Sequence, residues 1–303
     1  YATDTNDWRN PGRTRAHQNY DGVNIYGDEV STNLKSVGKA LVDLGLMSAG
    51  AINLLPNENV SRTGYKEIEL TDNKIQNVKA DASFHYRPFG TNKLELIFQN
   101  KVGFGNTIYQ GASRYMLKDF FMMQNKLEAV GKNYFARVYM TSENAGNSYD
   151  MVFTGWNVNK AWKSDSTWFG EYAGAFAQAT LNPALIGGAF SEQAKHDYAR
   201  SVADKGRFEY NSAEFKNAFD KVTKDSNFNS GSKFQDKSRI YHSDANYNFK
   251  DIIKFAEIQV GGSYRAYQLN SSGRIYTDAD GPINYNEYGA YTQLTKKLMD
   301  DRL

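Results

Sequence analysis

The chain has 303 residues, a formal net charge of +2 at pH 7, 40% hydrophobic and 14% aromatic residues, and no cysteine. The balanced charge gives no electrostatic footprint for nucleic acid, and the lack of cysteine excludes a disulfide framework and a thiolate metal site. No run of about 18 apolar residues offers a membrane helix, but a barrel strand needs only about 9–11 residues that alternate polar with apolar.

Tyr1 is followed by polar residues and not by a basic stretch and an apolar run, so no signal peptide is expected in what is given. Residues 1–76 read as a loop region with a helix near 31–46. In it Leu34, Val37, Leu41 and Leu44 recur at helical spacing behind Ser31 or Thr32 as N-cap.

Period-2 alternation then takes over, the mark of a strand with two unlike faces. Val78, Ala80, Ala82, Phe84 and Tyr86 alternate with Lys79, Asp81, Ser83, His85 and Arg87. Leu94, Leu96, Phe98 and Val102 oppose Glu95, Gln99 and Lys101. Tyr115, Leu117, Phe121, Met123 and Leu127 oppose Arg114, Lys118, Gln124, Lys126 and Glu128, with Asp119, Phe120, Met122 and Asn125 breaking the pattern. Tyr134, Ala136, Val138 and Met140 complete four strands within 77–144. Residues 145–234 form a long, partly helical loop, with candidate helices at Glu192 to Val202 and behind an Asn211/Glu214 capping box. Three strands follow within 235–303: Tyr241 to Phe249, Ala256 to Ala266 and Tyr288 to Leu294.

The expected class is therefore all-β, an antiparallel transmembrane β-barrel segment of about seven strands with partly helical extracellular loops. Short turns around Pro88-Phe89-Gly90, Gly131-Lys132-Asn133 and Lys250-Asp251 alternate with long connections at about 105–112, 145–234 and 270–285, as periplasmic turns alternate with outer loops. Tyr86, Phe89, Tyr134, Phe249 and Phe255 beside the short turns fit an interfacial aromatic girdle; in a soluble sheet they would be core aromatics near strand ends.

Several phrases resemble TonB-dependent outer-membrane receptors, especially a subgroup typical of Bacteroidota. They are Tyr20-Asp21-Gly22-Val23-Asn24-Ile25-Tyr26-Gly27-Asp28-Glu29-Val30, Ser61-Arg62-Thr63-Gly64-Tyr65, Ser142-Glu143-Asn144-Ala145-Gly146 and Phe255-Ala256-Glu257-Ile258-Gln259-Val260-Gly261-Gly262. The resemblance implies a 22-stranded barrel around an N-terminal plug, located in the cell outer membrane, that captures a ligand and imports it with energy delivered by TonB. Its implied partners are outer-membrane lipid, the TonB system acting through a plug outside this segment, and lipoproteins or other outer-membrane proteins. No plug or TonB box precedes Tyr1 and no closing strand follows Leu303, so both ends are expected to be cut and the segment to be about a third of such a barrel. The alternative is a receptor-like barrel serving as a structural or assembly subunit without active transport.

No catalytic constellation is visible, so the chain is not expected to be an enzyme or to carry a cofactor. His17, His85, His196 and His242 lack ligand spacing, and no metal site is expected. Asp278-Ala279-Asp280-Gly281 starts like a calcium loop but lacks its later ligands and reads as a polar turn. Gly103-Phe104-Gly105 lacks the third glycine and the strand-to-helix context of a dinucleotide site. The candidate ligand-binding cluster is Trp156, Trp162, Trp168, Phe169 and Tyr172, as exposed stacking surfaces; the competing reading has Trp156 and Trp162 anchor the loop. Lys101, Arg137, Glu257 and Arg265 are candidates to face a lumen or plug.

Overall fold

The computed structural model describes residues 18–19, 22, 24–71, 73–90, 93–188 and 191–296. Tyr1, His17, Tyr20, Asp21, Val23, Thr91, Asn92 and residues 299–303 lie outside the described residues. In chain order the first elements are β1 (Ile25–Tyr26), β2 (Ser31–Asn33), α1 (Leu34–Asp43), β3 (Asn59–Ser61), β4 (Tyr65–Lys66) and α2 (Glu67–Leu70). Next come β5 (Gln76–Tyr86), β6 (Glu95–Gln110), β7 (Arg114–Val130), β8 (Tyr134–Asn144) and β9 (Tyr149–Asp150). Four helices follow, α3 (Met151–Trp162), α4 (Asp165–Leu181), α5 (Glu192–Ala203) and α6 (Ala213–Lys224), then β10 (Arg239–Asn248), β11 (Glu257–Leu269) and β12 (Ile283–Thr295). Strand accounts for 39% and helix for 30%, so the protein is mostly β and not all-β. It divides into two compact units that interleave along the chain: Tyr1–Asn73, Tyr109–Met116 and Tyr149–Lys233 make one, and Lys74–Ile108, Leu117–Ser148 and Phe234–Leu303 the other. No helix among the described residues is long and apolar enough to cross a membrane.

The first unit is helical. Five of its helices begin on a side chain that accepts a free backbone N–H of the first turn: Asn33, Asp150, Ser164, Ser191 and Ser212. The caps of α1 and α6 are thus Asn33 and Ser212, not Ser31 or Thr32 and not Asn211. Ser31 and Thr32 are instead paired with β3, and Asn211 sits at φ +71° in the left-handed region. Helix α4 has no single apolar stripe because it is enclosed by its neighbours. Trp168, Phe169, Tyr172, Ala173 and Phe176 are all buried on it, and they form one core with Leu34 of α1 and Ala199 of α5.

The segment Ser61 to Tyr65 is held into this unit by cations and aromatic rings. Arg62 is 1% exposed; it donates to Asp165 at 2.5 Å and to the carbonyls of Lys163 and Asn159, with the rings of Trp162 and Trp168 at 5.5 and 5.8 Å. Arg200 donates to the Ser61 carbonyl and the Thr63 hydroxyl, while Arg207 donates to the Gly64 carbonyl and lies 3.9 Å from the Tyr65 ring centroid. Asp204 accepts from the Thr63 hydroxyl at 2.6 Å and from Trp168 Nε1 at 2.8 Å. Burying a guanidinium is costly, and these acceptors and ring faces offset the loss of water. Burial pulls the Arg62 pKa down, with Asp165 opposing it. A second close approach sets Gly155 of α3 against the backbone of Tyr26, whose carbonyl oxygen would lie 2.5 Å from any added Cβ.

The second unit is a sheet. β5, β6, β7, β8, β10, β11 and β12 hydrogen-bond in that order, and the sheet is antiparallel and not closed; β9 pairs with Tyr115 and Met116 at the start of β7, within the first unit. These seven strands run from 10 to 17 residues. Strands β6 and β7 extend past the stretch expected as a long connection at 105–112; only residues 111–113 join them. Long and short connections therefore do not alternate strictly. The alternation is interrupted at Gly103 and Gly105, and again at Asp119, a non-glycine residue at φ +55°. The Asp119 N–H donates to Asn106 Oδ1 and its carboxylate accepts from Asn147 Nδ2, both at 2.7 Å. This left-handed residue breaks the alternation of the strand, while the register with the facing segment is the same before and after it. Leu117, assigned by alternation to the face of Phe121, instead lines a cavity with Phe120, Met122 and Gln124.

The helical core generates a direct expectation. Trp168→Ala removes a fully buried ring and the platform under Arg62 and Arg200, at a cost of about 3–5 kcal/mol. Thermal loss of the helical signal at 222 nm is expected at a clearly lower temperature than in the parent protein; an unchanged midpoint would contradict this packing.

Candidate functional site: the two faces of the sheet

Residues paired across an antiparallel ladder project to the same face, so the registers define both surfaces. One rank runs Leu127–Val138–Ser243–Tyr264–Tyr288 across five strands. The next runs Ala129–Ala136–Ala245–Gly262–Ala290, and beyond it lie Tyr134, Tyr247, Val260 and Thr292. At the other side of the sheet Val78, Ala80, Phe84 and Tyr86 stand opposite Phe104, Val102, Phe98 and Leu96. Asn100 of β6 bonds Asn125 of β7 at 2.6 Å, which joins the two halves into one face. That face is uncovered: Phe84 is 66% exposed, Leu127 54%, Val138 50% and Tyr288 81%. A sheet in a water-soluble core normally hides such a surface.

The opposite face is charged and internally paired. Arg137 Nε donates to Asp244 Oδ1 at 2.7 Å, and Asp244 lies 3.3 Å from His242 Nε2. Arg265 Nε donates to His242 Nδ1 at 3.1 Å, and a second Arg265 nitrogen donates to Glu287 at 3.2 Å. Tyr267 donates its hydroxyl proton to the same Glu287 oxygen at 3.1 Å, and Lys126 pairs with Glu128 at 2.7 Å. The Tyr139 and His242 rings stack at 4.7 Å. Because His242 Nδ1 accepts from a guanidinium, the ring proton sits on Nε2, facing Asp244. The chain of contacts links Arg137 to Tyr267 over four adjacent strands.

All four lumen candidates lie on this charged face. Arg137 and Arg265 belong to one network, Lys101 pairs with Asp81 at 3.4 Å, and Glu257 accepts from Asn248 at 2.5 Å. The aromatic candidates are arranged differently. Trp168, Phe169 and Tyr172 are core residues of the helical unit, with no surface to offer a ligand, because α1 and α5 cover α4. Trp156 Nε1 donates to Glu29 at 3.0 Å, and Trp162 lies between Arg62 and Lys163, so these two act as anchors of their own unit. The Tyr172 hydroxyl and His196 Nδ1 are 2.9 Å apart; burial pushes the tyrosine pKa up and the histidine pKa down. Among the described residues no group of three or more His, Asp or Glu side chains could hold a metal.

The polar turn at residues 278–281 has a structural use. The Asp278 carboxylate accepts from the Ser271 hydroxyl at 2.6 Å, from the backbone N–H of Ser271, and from those of Ser272 and Gly273 at 3.0 and 2.7 Å. Burial acts to raise its pKa, but these donors outweigh it and hold the group at about 2. The carboxylate is spent on its own loop. Alternation places Tyr139, His242, Asp244 and Glu287 on the polar faces of their strands; that they join Arg137 and Arg265 in one network becomes visible only once the strands are in register.

Compared with family models, with curated proteins and with solved structures, the chain gives no match.

Removing the Asp278 carboxylate should loosen residues 270–282. Asp278→Ala is expected to raise tryptic cleavage after Arg274 roughly tenfold, from the loss of several charge-assisted bonds. The folded pKa lies below the unfolded value of about 3.9, so the anchor is complete above that pH and is lost as pH falls through about 2. Cleavage after Arg274 at the parental rate in the variant would refute the anchoring role.

Proposed function

We propose that this chain is a segment of the barrel of a TonB-dependent outer-membrane receptor, which binds a small ligand or nutrient outside the cell and imports it. The observation that carries this reading is the uncovered apolar face, aligned in register across the sheet and backed by a charged, self-paired face. Hydrocarbon is the medium in which such a pair of faces is stable: lipid covers one, and a wet interior hydrates the other. Strands of 10 to 17 residues suffice to cross a bilayer at a tilt, which takes about 9–11.

The aromatic residues near one set of turns add support. Of the five aromatic residues expected in an interfacial belt, Tyr86, Phe89, Tyr134 and Phe255 are exposed and Phe249 is half-buried against Tyr247, which is itself exposed. At the same end Asp251 accepts from Lys132 and Asn133 at 2.7 Å, tying two neighbouring turns together. The sheet has two open edges, β5 and β12. In a membrane both need partners, so the proposal includes further strands beyond this segment. The TonB-driven step and the plug that transmits it rest on the family resemblance of the sequence phrases.

This chain contains no cysteine, so with any cysteine elsewhere in the full-length protein replaced, a single introduced thiol is labelled without background. In the full-length protein in intact outer membranes, Ser83→Cys on the charged face should react with a charged maleimide, and Leu127→Cys on the apolar face only with a lipid-soluble one. Val138→Arg should cost about 2–4 kcal/mol near the bilayer midplane and deplete the protein from the membrane, whereas Ser83→Arg should not. Equal labelling of both positions by the charged reagent would end the membrane reading. Deleting the gene should abolish a nutrient uptake that depends on the proton-motive force; uptake unaffected by deletion would leave only a structural subunit.

A further inference from the structure

On the charged face of the sheet an apolar hollow opens among β5, β6 and β7. On β6, Gly103 and Gly105 take positions where neighbours carry long polar side chains, since Gly103 pairs with Lys79 and Gly105 with Asn77. On β7 the left-handed residue Asp119 brings Leu117 to the side that Phe120 and Met122 share by alternation. Together these leave a cavity of about 600 Å³, within the range of sites for small organic ligands. The two glycines are not equivalent. A Cβ at Gly105 would collide with the Gln76 carbonyl, so the backbone itself needs glycine there. A Cβ at Gly103 meets only the Lys79 Cγ at 3.7 Å and the Val78 carbonyl at 3.9 Å, ordinary contacts. Gly103 therefore keeps space open without being required for the strand.

The charges at the rim select the ligand. Asp81 is neutralised by Lys101 at 3.4 Å, whereas Lys79 has no ion-pair partner among the described residues and is exposed at the cavity. Leu117, Phe120 and Met122 pay a hydration penalty where they are, which an apolar body in the cavity would relieve. We infer that this cavity is a binding site for a small organic anion, an aromatic or branched apolar body carrying one carboxylate or similar group that meets Lys79. The inference goes beyond the receptor reading and rests on it only for the membrane setting of the test, since every residue involved lies in the sheet unit.

The test uses full-length protein in lipid nanodiscs with methyl-¹³C methionine, the Met122 resonance being assigned by its loss in Met122→Leu. Titration with 2-naphthoate should move that resonance saturably. Lys79→Gln should weaken binding roughly two- to fivefold, the scale of an exposed ion pair. Gly103→Leu should abolish the shift by filling the cavity, and 2-naphthylmethylammonium should bind more weakly than the carboxylate. Absence of a saturable Met122 shift would overturn the site, as would equal affinity for the ammonium compound or an unchanged affinity in Lys79→Gln. If Gly103→Leu does not assemble, the exposed Lys79→Gln carries the test alone. Failure of these titrations leaves the maleimide pattern of the two faces untouched, so the two proposals fall separately.

Discussion

Cross-strand register is the constraint on which the sheet unit depends. A slip of one residue on any strand would send its whole apolar set to the charged side. With the register observed, Ala129, Ala136, Ala245, Gly262 and Ala290 share one row, and Arg137, Asp244 and Ser263 share another on the reverse side. The charged network reinforces this alignment. The bonds from Arg137 to Asp244 and from Arg265 to Glu287 can form only if β8 and β10, and β11 and β12, are paired as they are. Surface ion pairs contribute little to stability individually, but their mismatch in any shifted register leaves charges opposed or unpaired.

The helical unit depends on a different arrangement. Its core is aromatic and alanine-rich around α4, and polar contacts run through it at Ser61 to Tyr65. Three guanidinium groups act there as cross-links among helices and an extended segment. Each donates to backbone carbonyls: Arg62 to those of Asn159 and Lys163, Arg200 to those of Ser61 and Gln18, and Arg207 to that of Gly64. The residues of this short phrase are thus specified by close packing and by acceptor geometry.

Much of the sheet was legible from alternation, and the reasons for the misses are local. The stripes at Val78 to Tyr86 and Tyr134 to Met140 are uninterrupted, and both are strands. The interval 105–112 was hidden because two glycines carry no face and Asp119 inverts the phase further on. The helices α3 and α4 give no amphipathic stripe because each is buried on several sides, so the tryptophans on them looked available when three of the five aromatic candidates were core. Helix caps were displaced by one or two residues because Ser, Thr and Asn cluster at these starts, and only the backbone decides which one caps. Lys101, Arg137, Glu257 and Arg265 lie opposite the apolar stripes, as alternation dictates, since a residue facing away from such a stripe has only one other face to occupy.

The left-handed residue at Asp119 has a consequence for how this chain tolerates length changes. Five steps separate Met116 from Phe121 on β7 and five separate Asn144 from Tyr149 on the facing segment, so the pairing keeps one register on both sides of the break. Deleting a residue between them would put the pairing of Tyr115 and Met116 out of step with that of Phe121 to Val130. The loss of one position, harmless in most surface loops, would here be felt along the whole strand.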